Sequence, residues 1–197
     1  RLHIYDYRDP FNFGWGYSWS ELTPPASGML FINPFVLNQA DEKILFYAGG
    51  STVWRNDNID MSQDGTVDNY SWASGGFLKS NQWEQLTNSA VTGQISALAT
   101  STSTPTHRLY YGSSQGKVYK LDNANSGNGA PTDITGSSFP SGAYVSNIAV
   151  NPENGDEVMV TFSNYSVKSI FHTNDGGSIW SDISGNLEQN SDGSGNG

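Results

Sequence analysis

The sequence predicts an all-β protein assembled from repeated four-stranded antiparallel sheets, and three observations carry that prediction. Charged residues make up only 14% of the 197 positions, aromatics reach 13% and glycines number 22, a balance that suits short strands joined by tight turns. No window sustains a 3.6-residue apolar rhythm over three turns, so long helices are not expected. Four segments share an ending in which an aromatic or proline is followed three residues later by Leu or Ile and then Thr or Ser. They are Trp19-Ser20-Glu21-Leu22-Thr23, Trp83-Glu84-Gln85-Leu86-Thr87, Pro131-Thr132-Asp133-Ile134-Thr135 and Trp180-Ser181-Asp182-Ile183-Ser184, spaced 64, 48 and 49 residues apart.

Each ending is the fourth strand of a repeating unit. Before it runs an aromatic-rich third strand that ends in Asp or Asn: Ile4–Asp9, Val53–Asn58, Val118–Asn123 and Ile170–Asp175. Earlier still come second strands at Ile44–Ala48, Arg108–Tyr111 and Val158–Phe162. First strands are predicted at Met29–Asn33, Ile95–Thr100 and Val145–Val150, near-continuously apolar as suits strands covered on both faces. Asn33-Pro34 and Asn151-Pro152 close two of these, because proline ends ladder pairing and starts a turn. Four strands per 40–50 residues is the period of β-propeller blades, and it makes a β-sandwich with accidentally similar strands the weaker alternative.

The expected organisation is two outer strands of a first blade in 1–27, then blades at 28–90, 91–138 and 139–187, then a polar tail in 188–197. About three and a half blades make an open arc, since propellers close with about 4–8 blades. The remaining blades are therefore expected from the rest of a longer chain or from another chain. The opening at Arg1, directly into the strand-like Leu2-His3-Ile4-Tyr5, gives the same expectation of a mature or trimmed piece.

The last unit carries the sharpest motif. Thr173-Asn174-Asp175-Gly176-Gly177-Ser178-Ile179-Trp180 fits Ser/Thr-x-Asp-x-Gly-x-x-Trp, placed in the turn between third and fourth strands. Asp175 can accept backbone N–H groups there, Gly177 supplies a positive φ, and Trp180 returns the chain to the core. With this motif, the stretch Ile148–Leu187 resembles the BNR, or Asp-box, repeat propellers, which include sortilin-like domains, xyloglucanase-type glycoside hydrolases and many secreted bacterial proteins. The resemblance implies a secreted or cell-surface bacterial protein in which Thr173, Asp175, Gly177 and Trp180 are structural and remote from any active site. The other units depart from the motif: Pro10 follows Arg8-Asp9, Asn58 replaces the aspartate, and Asp122-Asn123 enters an Asn/Gly loop.

Bulk charge excludes several functions. The net charge of −10, with four Arg and five Lys, argues against nucleic acid and against an anionic membrane surface. No apolar run approaches the length of a membrane-spanning helix, and with no cysteine there is neither disulfide nor thiolate chemistry. Arg1, Arg8, Arg55 and Arg108 occupy unrelated blade positions, so the three-arginine carboxylate clamp of a sialidase is not expected. His3, His107 and His172 lack zinc-ligand spacing.

Two local features point to ligands. Asp60-Met61-Ser62-Gln63-Asp64-Gly65-Thr66-Val67-Asp68 alternates oxygen-bearing side chains around a glycine, as calcium loops do. Asp60, Ser62, Asp64, Thr66 and Asp68 would hold Ca²⁺, although Ser71 stands where a bidentate Glu would sit. A plain Asp/Gly-rich hairpin is the alternative, and either accounts for the longer first full unit. Gly-rich segments around Trp15 and Trp72 place rings that either stack on sugars and anchor partners or pack inward. Glu153, Asp156 and Glu157 fall in one turn between first and second strands and are expected to be solvated, and no acid pair stands out as a glycosidase acid and base. The functional expectation is a recognition or scaffold propeller that binds protein or glycan, with no catalytic residue assigned. The alternative is a xyloglucanase-like polysaccharide hydrolase.

Overall fold

The computed structural model describes residues 3–6, 18–21, 23–57, 59 and 83–187. Strands β1 (His3–Asp6) and β2 (Ser18–Glu21) pair with each other in antiparallel register, His3 opposite Glu21. Three four-stranded sheets follow. Blade 1 comprises β3 (Phe35–Leu37), β4 (Leu45–Gly49), β5 (Thr52–Asn56) and β6 (Trp83–Leu86). Blade 2 comprises β7 (Ile95–Thr100), β8 (Leu109–Ser113), β9 (Val118–Leu121) and β10 (Thr132–Asp133). Blade 3 comprises β11 (Val145–Asn151), β12 (Asn154–Phe162), β13 (Ile170–Thr173) and β14 (Ser181–Asp182). Every pairing joins sequence neighbours and is antiparallel, so each blade is a simple meander. Among the described residues the only helical piece is a 3-10 turn at Thr87–Ser89, and no helix is long and apolar enough to cross a membrane.

Burial explains why the second strands are uninterrupted apolar runs. All of Leu45–Gly49 and of Leu109–Ser113 is buried, because a middle strand of a stacked blade is covered on both faces. One side of blade 1 (Phe46, Ala48, Val53, Leu86) packs against one side of blade 2 (Ile95, Leu109, Tyr111, Leu121). The other side of blade 2 (Ala97, Ala99, Tyr110, Val118, Ile134) packs against Val145, Ile148, Val158, Val160 and Phe171 of blade 3. Face-to-face stacking thus alternates the two sides of each strand between two seams, the period of two of a β-strand. Gly112 is part of that fit: a Cβ there would lie 2.3 Å from Val145 Cγ1.

The first strand of blade 1 differs from expectation. Met29–Asn33 is not a strand; β3 begins after Pro34, at Phe35, and Pro34 contributes its carbonyl to the Ala48 amide at 2.9 Å. Proline lacks an N–H to give but can open a strand, so here it starts the ladder instead of ending it. In blade 3 the expected pattern holds, with β11 ending at Asn151 before Pro152. Asp156 and Glu157 also differ from expectation, since both lie within β12 and are half-buried instead of sitting in a solvated turn.

Candidate functional site

The meander sorts the connections onto two faces. One face, here called upper, carries the links from fourth to first strand and from second to third. The lower face carries those from first to second and from third to fourth. Several contacts between blades follow this division. On the upper face Gln94 donates to the Gly28 carbonyl at 2.6 Å. On the lower face the Gly155 amide meets the Thr104 carbonyl at 3.2 Å.

Charged side chains on the lower face bridge the blades. Arg55 of β5, 4% exposed, donates to the carbonyls of Ala124 and Gly127 in blade 2, each at 2.9 Å, and pairs with Glu84. Arg108, 6% exposed, pairs with Asp122 at 2.5 Å and with Asp156 of blade 3. It also donates to the Tyr110 hydroxyl at 3.1 Å, which donates in turn to the Gly155 carbonyl at 2.7 Å. Burial pulls the Arg108 pKa down, but hydrogen bonds to Asp122, Tyr110 and Asp156 outweigh it and hold the guanidinium more firmly protonated than usual. Lys120 of β9 reaches the Gly176 carbonyl of blade 3 at 2.9 Å.

The turn at 173–180 lies beside this cluster. Asp175 Oδ1 accepts the Ser178 amide at 2.9 Å, the Ile179 amide at 3.0 Å and the Thr173 hydroxyl at 2.7 Å. Those bonds, the Ile179 amide foremost, hold its carboxyl below the usual range. Gly177 sits at φ 91° with its amide on Thr173 Oγ1 at 3.1 Å, and a Cβ there would meet Ile134 at 2.7 Å. Trp180 donates its indole N–H to the Ile134 carbonyl at 2.7 Å and packs edge-on to Phe139 at 5.0 Å. The four motif residues are thus brought together as a turn clamped onto the neighbouring blade.

The upper face displays apolar groups. Asn33 forms a reciprocal pair with Leu30: its Oδ1 takes the Leu30 amide at 2.8 Å and its Nδ2 donates to the Leu30 carbonyl at 2.9 Å. The turn so closed carries Phe31 (102% exposed) and Ile32 (79%) at its tip. A side chain on Gly50 would strike the Ser27 carbonyl at 2.4 Å, so the second-to-third turn of blade 1 tucks closely under this segment. In blade 3, Tyr165 (82% exposed) projects from a connection pinned by the Tyr144 amide on Asn164 Oδ1.

The residues proposed from sequence as ligand contacts, Trp15 and Trp72, lie outside the described residues, as do Asp60, Ser62, Asp64, Thr66 and Asp68 of the calcium-type loop. No group of three or more His, Cys, Asp or Glu among the described residues is arranged to hold a metal. Sequence patterning missed the Arg108 cluster, whose partners are 14 and 48 residues away. One signal did point to the seams: a basic residue recurs at the same third-strand position, as Arg55, Lys120 and His172.

Three antiparallel four-stranded sheets stacked through consecutive blades define the chain as a β-propeller of partial ring. The solved structure of the GH74 xyloglucanase from Xanthomonas campestris shares this fold, with a TM-score of 0.56 and 15% identity over 85% of this chain and 26% of that one. This chain thus spans about a quarter of that enzyme's length. Weaker likenesses are to the Cps50 (Swd1) β-propeller domain of Myceliophteria thermophila (TM-score 0.43, 10% identity, 77% of this chain and 40% of that one) and the GH74 enzyme of Niastella koreensis (0.37, 12%, 80% and 25%). No family model matches the sequence. No curated protein matches it either.

Proposed function

We propose that the chain is a recognition and scaffold module of a larger secreted or cell-surface bacterial protein, holding a protein or glycan ligand on its upper face. The observation that carries this reading is the pinned display of Phe31, Ile32 and Tyr165 on one face of a stacked-blade body. Exposed apolar and aromatic groups held in fixed turns give up little conformational freedom on binding, the property of interface anchors and sugar-stacking platforms. Trp15 and Trp72 are proposed as further contacts, and Asp60, Ser62, Asp64, Thr66 and Asp68 as a Ca²⁺ loop. The turn Thr173–Trp180 is proposed as an Asp box, a structural clamp in this scheme.

A glycan array and a pull-down from culture supernatant, each run with the protein and with Phe31→Ala/Tyr165→Ala, test the reading. Retention that falls at least about tenfold in the double variant supports it, the loss expected when two anchors are truncated. Retention unchanged by the variant overturns it, and release of reducing sugar from xyloglucan would establish the hydrolase alternative instead.

A further inference from the structure

The apolar turn on the upper face restricts what its ligand can be. Ser27 and Asn33 are the only polar side chains in residues 24–34. Asn33 spends both atoms of its amide on Leu30. A sugar laid against Phe31 would therefore meet a single side-chain hydroxyl in this segment, whereas small-molecule sites fix their ligands with several placed polar groups. Met29, Ile32 and Phe35 are exposed along with Phe31. Aliphatic chains such as Met29 and Ile32 offer a sugar no flat face to stack on, but they fill an apolar cleft well.

Charge is segregated between the two faces. Among the described residues, the upper connections 23–34, 50–51, 87–94 and 134–144 carry no charged side chain. Lys117 and Lys168 are the only charged residues in the other upper connections, and each is paired, with Asp133 and Asp182. The lower connections carry Asp41, Glu42, Asp57, Asp122, Glu153 and Asp175. A partner that bound this chain of net charge −10 through charge would be drawn to the lower face. The upper face suits an uncharged one. A bilayer fits poorly, because interfacial segments surround their apolar residues with Lys and Arg, and none flanks Phe31.

The turn is built before any ligand arrives. Pro24, Pro25 and Pro34 fix φ on both sides of it. The Pro34 carbonyl takes the Ala48 amide at 2.9 Å, and Gln94 holds the Gly28 carbonyl at 2.6 Å. Phe31 and Ile32 occupy the two middle positions of the turn that Leu30 and Asn33 close, so both side chains leave from its tip. Little ordering is left for binding to impose. We propose that the upper-face ligand is a folded protein that receives Phe31 and Ile32 in an uncharged apolar cleft. This assignment rests on the recognition reading above and narrows its ligand from protein or glycan to protein.

A benzophenone-bearing phenylalanine at position 31 of the full gene product, irradiated in the producing cells, captures the partner for identification by mass spectrometry. The identified protein is then purified and titrated with the full gene product by calorimetry. Phe31→Ala should weaken that binding at least about tenfold, the loss expected of a central anchor. Affinity should change by less than about threefold between about 0.05 and 0.5 M NaCl, since no charge pair forms. A smaller effect of Phe31→Ala or a larger effect of salt overturns the assignment. So does an adduct formed only within the same polypeptide, or no adduct at all. A glycan array and phosphatidylcholine vesicles are run in parallel. A glycan whose retention is lost in Phe31→Ala overturns the protein assignment but leaves recognition by the upper face standing, whereas vesicle binding lost in that variant overturns both.

Discussion

The upper and lower faces of this propeller are both built from short Gly-, Ser- and Asn-rich connections, yet they handle their side chains in opposite ways. Below, among the described residues, Arg55, Arg108 and Lys120 all reach across a seam, and the acceptors they find are carboxylates and main-chain carbonyls of the next blade. Above, the pinning groups are neutral amides such as Asn33, Gln94 and Asn164, which bond nearby backbone, Gln94 reaching the Gly28 carbonyl of blade 1. That leaves Phe31, Ile32 and Tyr165 without a role in holding the blades together. A face whose charged groups tie blade to blade contributes more to stability, whereas a face held by neutral amides and backbone bonds can present side chains to a partner. The difference also locates the cost of mutation.

The largest expected effect is at the lower face. Arg108→Leu removes one cation from a buried junction and leaves Tyr110 and two half-exposed carboxylates without it. A loss of about 3 kcal/mol in urea unfolding is expected, at the low end for breaking a buried pair because Asp122 and Asp156 can still be hydrated. A loss below about 0.5 kcal/mol would mean the seam is apolar packing alone.

Acid should have a smaller effect, through carboxylates of blade 3. Lys168 and the Ser184 hydroxyl and amide hold Asp182 down to about 2, and Asp175 and Glu157 are lowered as well, Glu157 chiefly by Asn151 and then by His172. Folded values below the unfolded ones mean that this stability is complete above about pH 4 and is lost as pH falls toward 2. Thermal melts should therefore decline through that window, and Asp182→Asn should flatten the decline. An unaltered slope would show that Asp182 is no better stabilised folded than unfolded.

The smallest effect belongs to the upper face. Phe31→Ser with Tyr165→Ser should change unfolding free energy by less than about 0.5 kcal/mol, the usual range for exposed positions. A larger loss would place those rings in the core's service and erase the contrast between faces.

Much of the fold was legible because strand order in a meander is local. The shared ending at Leu86, Ile134 and Ile183 marks the fourth strands of the described blades, and the second and third strands fall within a few residues of their predicted bounds. The error at Met29–Asn33 has a local cause as well. Five residues of apolar bias look like a buried strand, but here the reciprocal bond between Asn33 and Leu30 makes them a turn, and the strand waits for Phe35. The turn at Thr173–Trp180 was legible for the opposite reason, since the Asp175 carboxylate finds its donors, the Ser178 and Ile179 amides, within four residues.

What the sequence determines by itself is the repeat: four strands per unit, their order and the alternation that gives each blade two faces. Only the tertiary structure decides which of those faces is covered, and which charges meet. Arg108 and Asp156 are 48 residues apart, and Arg55 and Gly127 are 72 apart, so no local pattern registers them as partners. Stacking brings them together because blades 1 and 2 bury their second strands on both sides, and a base at the edge of that buried surface must find its acceptors on the next blade.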